Sequence, residues 1–167
     1  MKRNRRFKLE IELIPHTAWR LSLYNILPRS VWNEMKRQLY AEEGRKCYLC
    51  NSEKGALQAH EFWEYDDERN IQKLVAMHHL CNLCHKIKHI GFWCHTADGR
   101  AKLREEKLNR ERLIQHFCEI NNCTRKDFLE HEKQAFDLWK KRSKHRWKQD
   151  FGKFTKYIRS ESEHSFG

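Results

Sequence analysis

The chain has 167 residues, enough for one domain of ordinary size or a small core with appendages. With 39% hydrophobic and 34% charged residues it is too apolar for a disordered chain and too charged for a membrane protein. No stretch approaches the roughly 20 consecutive apolar residues of a membrane helix. The basic start, Met1–Lys8, is not followed by the apolar run of about 7–15 residues found in a secretory signal. The expectation is a soluble, cytoplasmic protein with no membrane partner. Thirty-four Lys and Arg against 23 Asp and Glu leave a net charge of +11, which favours a polyanion such as nucleic acid.

In chain order, Phe7, Leu9, Ile11 and Leu13 alternate with charged residues, the period of a half-buried strand closed by Pro15. A helix capped by Ser30 is expected to run to about Glu43, with Val31, Met35 and Leu39 on one face and Gly44 as its stop. Asp98–Gly99 reads as a turn, followed by a helix from about Lys102 to Glu119 that buries Leu113 and Phe117. Thr124-x-x-Asp127 has the form of a capping box for another helix, with an apolar stripe of Phe128, Leu129, Ala135, Phe136 and Trp139. Basic residues dominate from Lys140 to Lys156, interleaved with Trp147, Phe151 and Phe154, a mixture that suits a phosphate-contacting arm with stacking aromatics. The expected division is a basic N-terminal strand and helix (1–46), a metal-binding core (47–92), a basic helical region (93–156) and a disordered tail (157–167).

The seven cysteines are not scattered. Cys47 and Cys50 form one C-x-x-C and Cys81 and Cys84 another, so four thiolates are available for a tetrahedral Zn²⁺. An odd cysteine count is poor material for a disulfide framework. The 30 residues between the pairs exceed the roughly 15–20 of a plain four-cysteine finger, so they must house structure of their own. Leu57–Trp63 is strand-like and carries His60 beside Glu61. His85 and His89, four apart after the second knuckle, share a helix face and could bind one cation. Lys86 and Lys88 lie on other faces, where they could meet a phosphate backbone.

Taken together, Cys47-Tyr-Leu-Cys50, His60-Glu-Phe-Trp63, Tyr65-Asp-Asp67 and Cys81-Asn-Leu-Cys-His-Lys-Ile-Lys-His-Ile-Gly91 resemble the HNH endonucleases, in a small bacterial and phage branch. The likeness extends from about Glu12 to Asp150. It implies an α+β fold: a ββα-metal (HNH) core with a four-cysteine zinc knob, flanked by the N-terminal strand and helix and by C-terminal helices. It makes Cys47, Cys50, Cys81 and Cys84 ligands of a structural zinc, and His60, His85 and His89 ligands of a catalytic divalent ion (Mg²⁺, Mn²⁺, Ni²⁺ or Zn²⁺). Glu61 would be general base, with His60 the alternative, and Asn70 the middle residue of the motif. Lys86, Lys88, Arg142, Lys144, Arg146 and Lys148 would contact nucleic acid. The implied activity is metal-dependent hydrolysis of DNA phosphodiester bonds, one strand per ββα unit, in a bacterial cell or phage-infected host; RNA stays open as a substrate. An inactive zinc-stabilised nucleic-acid-binding module, or a nuclease subunit docking through its C-terminal helices, fits the same residues.

Overall fold

The structure is a computed structural model that describes residues 6–162, with side chains as far as Ile158. In chain order its elements are helices α1 (Leu23–Ile26) and α2 (Arg29–Glu43), strands β1 (Leu57–Asp66) and β2 (Ile71–Cys81), helices α3 (Asn82–Lys88), α4 (Ile90–His95), α5 (Ala97–Glu105), α6 (Arg110–Asn121) and α7 (Arg125–Arg142), strand β3 (Lys148–Asp150) and helix α8 (Thr155–Ser162). The class is mixed α+β with one three-stranded sheet ordered β1-β2-β3. None of the described helices is long and apolar enough to cross a membrane.

The chain forms two compact units, each assembled from separate stretches rather than from consecutive segments. The first takes the N-terminal stretch to Leu13, Lys46–Gln58 and Leu80–Trp139; the second takes Ile14–Arg45, Ala59–His79 and the chain from Lys140.

In the first unit the alternation at Phe7–Leu13 correctly marks Leu9 and Ile11 as buried, but the segment is not a strand. Side chains partner its backbone instead. The Leu9 N–H donates to Asn121 Oδ1 at 3.0 Å, and the Asn121 amide returns a bond to the Leu9 carbonyl at 2.8 Å. The Ile11 N–H donates to His131 Nε2 at 3.0 Å. A carboxamide and an imidazole thus stand in for the neighbouring strand that the alternation implies.

The single helix expected over 102–119 is two. Lys107 enters the left-handed region (φ 55°), and Asn109 caps α6 by accepting the Arg112 N–H at 2.9 Å. Asp98–Gly99 is not a turn but the first turn of α5, whose cap, Thr96, accepts the Gly99 N–H. A side chain at Gly99 would place its Cβ 2.0 Å from the Phe92 carbonyl oxygen, so glycine lets α4 and α5 approach. The capping box forms as expected: Asp127 accepts the Thr124 N–H and Thr124 Oγ1 accepts the Asp127 N–H. Phe128 is fully buried against Phe117, but Leu129 faces solvent because the inward stripe of α7 continues through His131 and Glu132.

The second unit has an apolar core. Trp32 and Met35 of α2 meet Leu23, Leu27, Leu74, Met77 and Phe154, with Leu39 packed alongside. Pro28, not Ser30, precedes the first turn of α2, and Gly44 (φ 75°) ends it with its N–H on the Tyr40 carbonyl. β3 runs parallel to β2, pairing Ile71 with Lys148 and Lys73 with Asp150. Residues 157–162, expected within a disordered tail, complete α8, and Tyr157 and Ile158 pack on the core. Residues 163–167 of that tail lie outside the described residues.

Candidate metal centre

Backbone geometry shapes each cysteine pair. The first knuckle closes with the Asn51 N–H on the Cys47 carbonyl and the Cys47 N–H on the Ser52 carbonyl, both at 2.9 Å, and Asn51 takes the left-handed conformation (φ 59°) that so tight a loop needs. The second knuckle is the junction of β2 with α3: Cys81 precedes the helix and Cys84 lies in its first turn. A sulfur from each of Cys47, Cys50, Cys81 and Cys84 lies within 4.8 Å of the others, a cluster that could hold a metal ion such as zinc.

The donor set fits that ion. Cys50 Sγ and Cys81 Sγ are 3.6 Å apart. A tetrahedron with Zn–S bonds of about 2.3 Å has edges of about 3.8 Å, whereas a disulfide would need about 2.05 Å. Hydrogen bonds from the Cys81 and Cys84 side chains hold the Cys47 thiol far below its usual range. The bond to Cys47 in turn pushes Cys81 up to about 12, and Cys84 is raised further. Four thiolates this close repel, so only a cation lets all of them ionise together.

A residue the sequence did not single out completes the arrangement. His116 of α6 is buried with Nε2 3.2 Å from Cys84 Sγ. An N–H there supports a ligating sulfur from outside the ligand set. Nothing in the sequence distinguishes this lone helical histidine from a core residue.

Beyond the second knuckle, His85 of α3 and His89, the residue that ends it, stand one turn apart, both half-buried, with ring centroids 4.9 Å apart. Lys86 and Lys88, expected to meet a phosphate backbone, are instead buried, at 2% and 5% exposed. Lys86 Nζ donates to Glu106 at 2.9 Å and sits 3.5 Å from the Trp93 ring centroid. Lys88 Nζ donates to Glu12 at 3.1 Å. A lysine buried this deeply is stable only when paired, and these pairs leave neither ammonium for phosphate.

In the second unit, His60 and Glu61 occupy the middle of β1, both buried, with His60 edge-on to Phe62. Successive strand residues face opposite ways, so the two side chains do not share a face. Glu61 Oε1 accepts the Tyr24 N–H of α1 at 3.4 Å. That geometry does not place Glu61 as the base beside His60. Asn70 ends the turn between β1 and β2 in the left-handed conformation (φ 55°), with its carbonyl accepting the Lys148 N–H. At about 3.4 Å per residue it stands roughly 20 Å along the strand from His60, too far to touch the same reacting atoms. It holds the turn instead. His78 pairs with Glu43, and His79 is fully buried, stacked on Tyr40 with centroids 3.8 Å apart; burial lowers its pKa.

Of the basic run after α7, Lys144, Arg146 and Lys148 are exposed. Arg142 instead makes a two-pronged bond to Asp67, 2.8 Å on each arm, and this guanidinium lowers the Asp67 pKa. Trp147 and Phe154, expected as stacking aromatics, are buried, because Trp147 folds back to donate to the Arg142 carbonyl and Phe154 enters the core. Compared with family models, with curated proteins and with solved structures, the chain matches none of them.

Proposed function

We propose that the chain is a metal-dependent endonuclease of the HNH, ββα-metal type that hydrolyses phosphodiester bonds of DNA, cutting one strand per site. The observation that carries this reading lies in the first unit: His85 and His89 stand one turn apart directly after the four-cysteine cluster, ring centroids 4.9 Å apart, and the family resemblance adds His60 as their third ligand. Three imidazoles suit a borderline divalent ion such as Zn²⁺ or Ni²⁺, and the family resemblance extends the choice to Mn²⁺ and Mg²⁺. Three protein ligands leave coordination positions open for phosphate and water, which a closed four-cysteine site does not. When bound, such a cation polarises the scissile phosphate and acidifies water. On the family resemblance, His60, His85 and His89 would hold it. On this reading Cys47, Cys50, Cys81 and Cys84 hold a structural zinc, and Lys144, Arg146 and Lys148 meet the phosphate backbone.

A second reading, a zinc-stabilised nucleic-acid-binding module without catalysis, is favoured by the placement of Glu61 and Asn70 away from the position of a base beside His60. The deciding experiment is cleavage of supercoiled plasmid, and of an RNA of similar length, by wild type and His85→Ala across Mg²⁺, Mn²⁺, Ni²⁺ and Zn²⁺. Open-circle plasmid formed by wild type alone, with a loss of at least about 100-fold in the variant, supports the nuclease. Equal residual cutting by both proteins, or none by either with salt-sensitive binding retained, sinks it.

A further inference from the structure

Eight large hydrophobic side chains stand out of the described surface, and four of them, Trp19, Leu21, Tyr24 and Ile26, fall within eight consecutive residues of the second unit. Trp19 is the most exposed, at 56%. It is nonetheless fixed: its indole N–H donates to the Ile14 carbonyl at 3.0 Å, and the His16 ring meets it edge-on at 4.4 Å. A pinned aromatic left in water on so small a unit marks a contact surface rather than misplaced core.

The chemistry around it selects the partner. No carboxylate occurs between Leu13 and Glu34, while Arg20 and Arg29 do, and the Arg29 guanidinium lies 4.5 Å from the Tyr24 ring centroid. Trp19 also lines a cavity of about 290 Å³ with Arg20, Ser22, Asn25, Trp63 and Gln72. That volume is at the small end of ligand sites. Two indoles, an arginine, a hydroxyl and the Asn25 carboxamide match an unpaired nucleobase: π-faces to stack on, polar groups for its edge, and a cation for its phosphate; Gln72, bonded to Tyr65 and Gln149, forms the floor. A base inside a duplex cannot enter such a cavity without leaving its stack.

We infer that the Trp19–Trp63 cavity binds an unpaired base of a nucleic-acid strand. The inference rests on the nucleic-acid partner proposed above, but not on cleavage. The test is fluorescence anisotropy of a labelled 12-residue oligothymidine and of a 12-base-pair duplex, with no divalent ion added. Trp19→Ala should weaken oligothymidine binding about tenfold or more while duplex affinity stays within about twofold, and Trp19→Phe should retain most of it. An equal loss on both ligands, or no loss on either, overturns the inference. So does a wild type that self-associates in sedimentation while Trp19→Ala does not, with strand binding unchanged, since the patch is then a protein interface. Circular dichroism of Trp19→Ala should match wild type, as the side chain is exposed. Plasmid cutting is scored separately: Trp19-dependent strand binding without cutting retires only the nuclease reading, and cutting with Trp19 irrelevant retires only this one.

Discussion

The two units differ in which charges they bury. The first turns charge inward: four clustered sulfurs with His116, Lys86 on Glu106, Lys88 on Glu12, and Glu132 between His95 and Arg110. The second also buries His60, Glu61 and His79, but beside an apolar core, and among the described residues it pairs no buried lysine; its Lys144, Arg146 and Lys148 face solvent. A net charge of +11 is therefore not one basic face. Part of it is scaffold, and only the remainder is available to a partner.

The largest effect should come from the cysteine cluster. Structural zinc in a four-cysteine site contributes on the order of 10 kcal/mol or more, comparable with the whole stability of a domain. Cys84→Ser, or treatment of wild type with a tight chelator, should release one zinc and abolish cooperative thermal unfolding. A melting curve unchanged by chelation would show that the inward-turned groups hold the first unit without metal.

Next come two ion pairs, one from each unit. Glu12 and Lys88 are both largely shielded, whereas Asp67 of the Asp67–Arg142 pair is 39% exposed. Glu12→Ala strands a buried ammonium and should destabilise by about 3 kcal/mol in urea unfolding. Asp67→Ala removes the more exposed partner and lets water reach Arg142, itself 16% exposed and 4.1 Å from the Tyr65 ring centroid, so it should cost less, about 1 kcal/mol. Equal effects would erase the contrast between the units.

These pairs also show what could and could not be read in advance. Short-range signals were legible: the two C-x-x-C pairs, Gly44 as a helix stop, the Thr124–Asp127 box, and the burial alternation at Leu9 and Ile11. Each depends on residues a few positions apart. Lys86 and Lys88 looked like surface cations because their carboxylates lie 20 and 76 positions away. Phe7–Leu13 looked like a strand because alternation reports which side chains are buried, not what bonds the backbone. The break after α5 turns on a non-glycine residue, Lys107, adopting positive φ, which its neighbours do not announce. His116 is the same case for the metal cluster, 32 positions from Cys84. For the histidines, the spacing of His85 and His89 was visible, and the strand-like Leu57–Trp63 already put His60 and Glu61 on opposite faces, as β1 shows.

The inward arrangement also predicts acid sensitivity. Burial, with the nearby Lys88 charge, lowers His131 from 6.5 to about 4, and its Nε2 must stay unprotonated to accept the Ile11 N–H. Between those two values the unfolded chain binds a proton that the folded chain does not, so stability falls as pH drops through the window and levels off below it. From pH 7 to 5 the loss attributable to His131 is about 2 kcal/mol. His131→Gln, which keeps an acceptor but does not titrate, should flatten the pH dependence of the urea midpoint by that amount. An identical slope in variant and wild type would assign the acid sensitivity to other groups.

The smallest effect is the sharpest on the comparison itself. If the exposed cations of the second unit neutralise phosphates, each one removed should reduce the slope of log K against log salt by about 0.9 for duplex DNA, because one fewer counterion is released. Lys144→Gln should show that decrement, and Lys144→Gln with Lys148→Gln about twice as much. Lys88→Met removes the same formal charge from the chain and should leave the slope unchanged, since its ammonium is already neutralised by Glu12. Pairing it with Glu12→Leu keeps the unit folded and the net charge constant, which separates lost contact from lost charge. A slope that follows net charge alone, whichever lysine is removed, would mean that DNA senses the long-range field of the protein. A slope that follows Lys144 and Lys148 alone would place the contact on the basic run after α7, where the charge is free to act.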